Sequence, residues 1–190
     1  MAIEDVAAPT DEIECAEATL VVLQDVLQDV GAADLTRQTP CTEFDVAKLT
    51  DHLMNSITAI GGAAGAALPP RAPDAAPLAQ VSAAAEAALD AWRRRGLDGK
   101  VSIGSNKAPA VVAAGILSVE FLVHAWDYAI ATGHQITVPE PVADYVLGLA
   151  SRIITPHGRT AVGFADPVDV AADADVFDQL IAFTGRTPVG

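Results

Sequence analysis

Between Val111 and Ala131 the chain is almost wholly apolar, interrupted only by Ser118, Glu120, His124 and Asp127. A run of this length approaches that of a membrane span. Three ionisable groups inside it, with no basic flank beyond Lys107, point instead to the central helix of a water-soluble bundle. Glu120 and His124 stand four residues apart, just over one helical turn, so carboxylate and imidazole leave the helix in the same direction, near Ala113, Leu117 and Ala131. An ionised carboxylate in such surroundings needs a cation, a hydrogen-bond network or a proton, because burial without compensation costs several kcal/mol. A divalent metal ion would meet that need.

The charge balance narrows the function classes. Eleven Lys and Arg face 25 Asp and Glu, a net charge of −14, which argues against a nucleic-acid backbone or an anionic membrane surface as partner. At 190 residues the chain suits one domain, expected to span 1–190. Cys15 and Cys41 accompany an acidic rather than signal-like start, Met1 to Asp11, and are expected to be free thiols in a reducing cytoplasm. Whether the chain is a monomer or a homodimer through an apolar helix face is left open by the residues.

Helical periodicity dominates the rest. Ile13, Leu20, Leu23, Leu27 and Val30 recur at three- and four-residue steps within Asp11 to Val30, with Gly31 as the expected stop. Asp45 caps a predicted second helix from Val46 to about Ala67, which carries His52. After a proline-rich connection, an Ala-rich helix is predicted from Leu78 to Arg95, its basic end suited to a helix C-terminus. The short run Val101 to Gly104 leads to Pro109 and the apolar helix, which Gly133 should end. A fifth stretch, Pro141 to Ile154, and a short closing helix, Asp175 to Phe183, complete an all-α reading: four long helices plus accessories, with almost no strand signal.

His52 shares a helical face with Leu49, Ser56, Ala59 and Ala63, a stripe of mostly small side chains that leaves room for an ion or ligand. Should that helix pack against the apolar one, two imidazoles and one carboxylate would converge in the bundle interior, the ligand set of a catalytic zinc site with one position open. The plainer alternative is an ordinary histidine at 52 and a Glu120 bonded to His124 or an arginine. Asp127, three residues past His124, could accept an imidazole N–H or steady a nearby loop. Trp126 is expected to pack and His134 to be solvated. His157 and Arg159 suit a pocket mouth or the surface, and Cys41 a turn. Arg186, after the closing helix, suits either a clamp on a substrate carboxylate or a salt bridge to this acidic body.

Taken together, Thr39-Pro-Cys-Thr-Glu-Phe-Asp-Val46, Leu49 to Leu53 with His52, Glu120-Phe-Leu-Val-His124-Ala-Trp-Asp127, Ala131-Thr-Gly133 and Leu180-Ile-Ala-Phe-Thr-Gly-Arg186-Thr-Pro188 resemble the mycothiol-dependent maleylpyruvate isomerase-like branch of the DinB/YfiT-like metalloprotein superfamily. The resemblance covers most of the chain. It implies a four-helix bundle with short accessory helices, and a divalent metal, zinc first with nickel as the second choice, on His52, Glu120 and His124. It also implies mycothiol, a low-molecular-weight thiol, as cosubstrate and a small electrophile as its target, in a transferase or isomerase. The alternative function is a non-catalytic metal or small-ligand binding protein or thiol sensor. Two departures stand out: the family often carries Trp where Phe44 stands, and the isomerase itself has an additional C-terminal domain that 190 residues cannot hold in full.

Overall fold

A computed structural model describes residues 6–159 and 163–189. Part of the acidic start, Met1 to Asp5, and residues 160–162 of the irregular segment lie outside the described residues. Six α-helices are described: α1 (Glu12–Leu27), α2 (Val46–Ala63), α3 (Pro77–Arg95), α4 (Ala110–Thr132), α5 (Glu140–Ile153) and α6 (Val176–Phe183). The fold is an all-α bundle, as the periodicity and the resemblance imply, with a small hairpin added to it.

Local chemistry sets the helix ends. The Asp11 carboxylate accepts from the backbone N–H groups of Ile13 and Glu14, both at 2.9 Å, and starts α1. Asp45 accepts from Lys48 N–H at 2.8 Å and fixes the first turn of α2, which places His52. Gly133, in the left-handed region at φ 76°, ends α4. The expected stop at Gly31 is displaced: α1 closes at Leu27, and Gly31 instead opens a 3₁₀ turn, Ala32–Asp34. Likewise α2 stops at Ala63 rather than about Ala67, because Gly65 turns to φ 81°.

The strands are a correction. β1 (Lys100–Ile103) and β2 (Asn106–Pro109) pair antiparallel, with Ile103 opposite Asn106. Four-residue strands are too short to show a period of two, but the Gly104-Ser105 dipeptide between them is a hairpin turn signal, with Gly104 at φ 58°.

α1 packs on α3 and α4, and α2 packs on α3 and α4, closing the four-helix bundle. Leu23, Leu27, Leu53, Ile57, Trp92, Leu117, Phe121 and Tyr128 fill its core. A second apolar cluster lies on the other side of α4, where Val119, Leu122 and Val123 meet Val146 and Leu149 of α5 and Leu180 of α6. Burial on both faces explains why α4 is apolar all round: it is long and apolar enough to cross a membrane, with a mean hydropathy of 1.5 over 18 residues, yet 78% of that stretch is buried within the protein.

Candidate metal centre

α2 and α4 cross so that His52 reaches Glu120 and His124. Nε2 of His52 lies 3.4 Å from Glu120 Oε2, and Nε2 of His124 lies 3.7 Å from the same oxygen. One donor atom from each residue falls within 4.8 Å of the others. Two bonds of roughly 2.1 Å from an ion, at the tetrahedral angle, put their donors about 3.4 Å apart, which the two His–Glu separations of 3.4 and 3.7 Å match.

The chemistry of the donors fits as well. Glu120 Oε2 is buried and has no hydrogen-bond partner, although both imidazoles stand at ion-pair distance. An orphaned buried carboxylate oxygen, flanked by two ring nitrogens, is a position a cation would satisfy. Among the described residues, His52, Glu120 and His124 form a group that could hold a divalent ion.

Support comes from behind. His124 Nδ1 is 2.9 Å from Asp127 Oδ2, and the Arg186 guanidinium grips the same carboxylate, Nε donating to Oδ1 at 2.8 Å and Nη2 to Oδ2 at 2.7 Å. Asp127 is fully buried. The result is a line of alternating charge, Arg186, Asp127, His124 and Glu120, with the His52 ring at its end. Of the two roles the sequence left to Arg186, the salt bridge is the one seen; its third nitrogen, Nη1, sits 3.4 Å from Thr184 O.

That alternation sets the protonation of the metal-free protein. Burial pushes the Glu120 carboxyl up, but the two imidazoles outweigh it and hold it well below the usual carboxylate range. Burial pulls His124 down, yet Asp127 and Glu120 prevail and push it up to about 9. Asp127 is also held below its ordinary value, since Arg186 and His124 overcome its desolvation. Cys41 behaves differently: burial raises its thiol, which argues against a ready thiolate there.

His52 sits at the rim rather than in the interior the stripe suggested. Its side chain is 37% exposed, against 14% for Glu120 and 7% for His124, because the face of α2 that enters the core is Leu49, Leu53, Ile57 and Ile60. The ring is held by Phe44, stacked with centroids 5.0 Å apart and planes 27° apart, and meets His124 edge-on at 5.1 Å. Phe44, where the family often carries Trp, thus touches a residue of the site directly. Phe44, Lys48, Asp51, His52 and Asn55 line a shallow, open depression of about 290 Å³ beside the imidazole.

The other candidates fall outside the cluster. His134 is partly exposed, 3.8 Å from Asp29, and His157 is exposed. Arg159 lies neither at a pocket mouth nor on the surface. It is buried and donates from Nη1 to Ala165 O and Phe183 O, tying the irregular segment to the end of α6. Trp126 is buried, and Cys15 and Cys41 are free. One polar contact was not legible in the sequence: Tyr128 Oη and Thr50 Oγ1, 2.9 Å apart, join α4 to α2.

Two relatives share 30% identity with the chain over 164 residues, 85% of this chain and 90% of theirs; both are uncharacterized proteins of Mycobacterium tuberculosis, from strains CDC 1551 / Oshkosh and ATCC 25618 / H37Rv. No solved structure matches. The mycothiol maleylpyruvate isomerase N-terminal domain family matches residues 16–129, a span that contains His52, Glu120 and His124, and the chain belongs to that family.

Proposed function

We propose that this protein is a divalent-metal-binding enzyme of the cytoplasm in which a mycothiol-type thiol attacks a small electrophile, as a transferase or an isomerase. His52, Glu120 and His124 hold the ion, zinc first and nickel second. The observation that carries the reading is the buried, unpartnered Glu120 Oε2 with an imidazole Nε2 on either side.

A bound ion with one open position would lower the pKa of a thiol there, favouring the thiolate. The protein's residues do the rest. Asp127 accepts Nδ1–H of His124, which leaves Nε2 of that ring free to face Glu120. Phe44 keeps the His52 ring from turning out into solvent. The shallow depression beside His52 is where a ligand would approach the rim of the site, and apolar burial around Glu120 and His124 excludes bulk water. In the reaction the S–H adds across an activated double bond, sulfur to one carbon and the proton to its neighbour; release of the thiol after rotation isomerises the substrate, and retention transfers the thiol.

The small depression favours one rival. About 290 Å³ is at the lower edge of small-molecule sites, which suits a non-catalytic metal or ligand binding protein or a thiol sensor. Elemental analysis of untagged wild type, His52→Ala and Glu120→Ala, followed by a thiol and electrophile panel on the loaded protein, separates the readings. Near-stoichiometric metal lost in both variants, with thiol consumed, supports the enzyme. Thiol binding without turnover supports the sensor, and protein that takes up no metal sinks the enzyme reading.

A further inference from the structure

We infer that Arg186 is a positioning residue of the candidate metal centre: delivered by the turn after α6, it grips Asp127 at two points, and Asp127 in turn fixes the ring of His124. The inference rests on the metal-site reading above and adds to it a residue from outside the family-matched span, which ends at 129.

A carboxylate held at one point can rotate; one held by a planar guanidinium fork through both oxygens cannot. Arg186 makes that two-point contact with its side chain 9% exposed and Asp127 fully buried, so water does not compete for either group. Oδ2 of Asp127 is shared between Nη2 of Arg186 at 2.7 Å and Nδ1 of His124 at 2.9 Å, which fixes the imidazole plane and leaves Nε2 toward Glu120.

The chain ending is shaped to deliver this side chain. Arg186 N–H donates to Ile181 O at 3.2 Å and Gly185 N–H to Ala182 O at 3.0 Å, folding the turn back over α6. Gly185 has φ 84°, and a Cβ there would meet the Ala165 backbone at 2.8 Å, so only glycine lets the turn press so close. Behind the guanidinium lies the Phe164 ring, 5.9 Å from its central carbon. With Nε and Nη2 both committed to Asp127, the fork acts on His124 through that carboxylate rather than clamping a substrate.

The test measures zinc affinity by chelator competition for wild type, Arg186→Gln, Arg186→Lys, Asp127→Asn and the double variant Asp127→Asn/Arg186→Gln, with circular dichroism to establish folding. Arg186→Gln is expected to weaken zinc binding about 10–100-fold. Arg186→Lys, which keeps the charge and loses the fork, should stay weakened; the double variant should bind no worse than Asp127→Asn alone. Wild-type affinity in folded Arg186→Lys, or additive losses in the double variant, overturns the inference. A wild type that binds no zinc removes the functional reading instead. In that case the protected Nδ1 proton of His124, read by ¹⁵N–¹H NMR on metal-free protein, decides: its loss in Arg186→Lys upholds the positioning role, and an unchanged signal ends it.

Discussion

His124 Nδ1 and Asp127 Oδ2 lie 2.9 Å apart, three residues along one helix, with Asp127 fully buried. The pair decides which imidazole nitrogen is free. In Asp127→Asn an amide replaces the charge and leaves the Arg186 guanidinium buried without its counter-ion. We expect a loss of about 3–5 kcal/mol in folding stability, read by urea denaturation, and zinc affinity lower by about 10–100-fold.

Proton linkage gives opposite pH trends for the two forms. His124 has its pKa raised from 6.5 to about 9, so its contribution to metal-free stability is fully present below 6.5 and is lost as pH rises through 9. Metal binding must displace that proton, so zinc affinity should rise over the same window. Denaturation in chelator at the two ends of the window checks the first trend. Calorimetry in buffers of different ionisation enthalpy checks the second by counting protons released at neutral pH.

The Phe44 stack should be separable from the fold. Phe44→Ala is expected to free the His52 ring and weaken zinc binding, with the stacking itself worth about 0.5–1.5 kcal/mol. Phe44→Trp should retain binding, since a larger ring can occupy the same face. Chelator competition on both variants is the check, and equal affinity in Phe44→Ala would show that the stack does not hold the ligand.

A change remote from the site should affect stability alone. A Cβ at Gly61 would lie 2.8 Å from the Ala88 Cβ, where α2 meets α3. Gly61→Ala is expected to cost about 1–3 kcal/mol through overpacking, visible as a lower melting temperature, while the metal content of folded protein stays at the wild-type level.

The helices were legible because each presents an amphipathic or wholly apolar repeat longer than two turns, with caps such as Asp45 and Gly133 where the pattern breaks. The hairpin was not, as four residues on each side show no period. Glu120, His124 and Asp127 could be read as a unit, since one helix fixes their relative directions whatever surrounds it.

What lay beyond the sequence is what depends on packing between distant segments. The periodicity of α4 demanded burial on every side, but only the tertiary structure shows that the bundle covers one face and α5 and α6 the other. His52 lies 68 residues from Glu120 and Arg186 lies 59 from Asp127, and no local rule says which turn of α2 meets which turn of α4, or where the final turn ends. Local propensity and spacing determined the helices and half of the candidate site. The crossing of α2 over α4 and the docking of the C-terminal turn decided the rest, because side-chain direction is set within a helix and convergence is set only between helices.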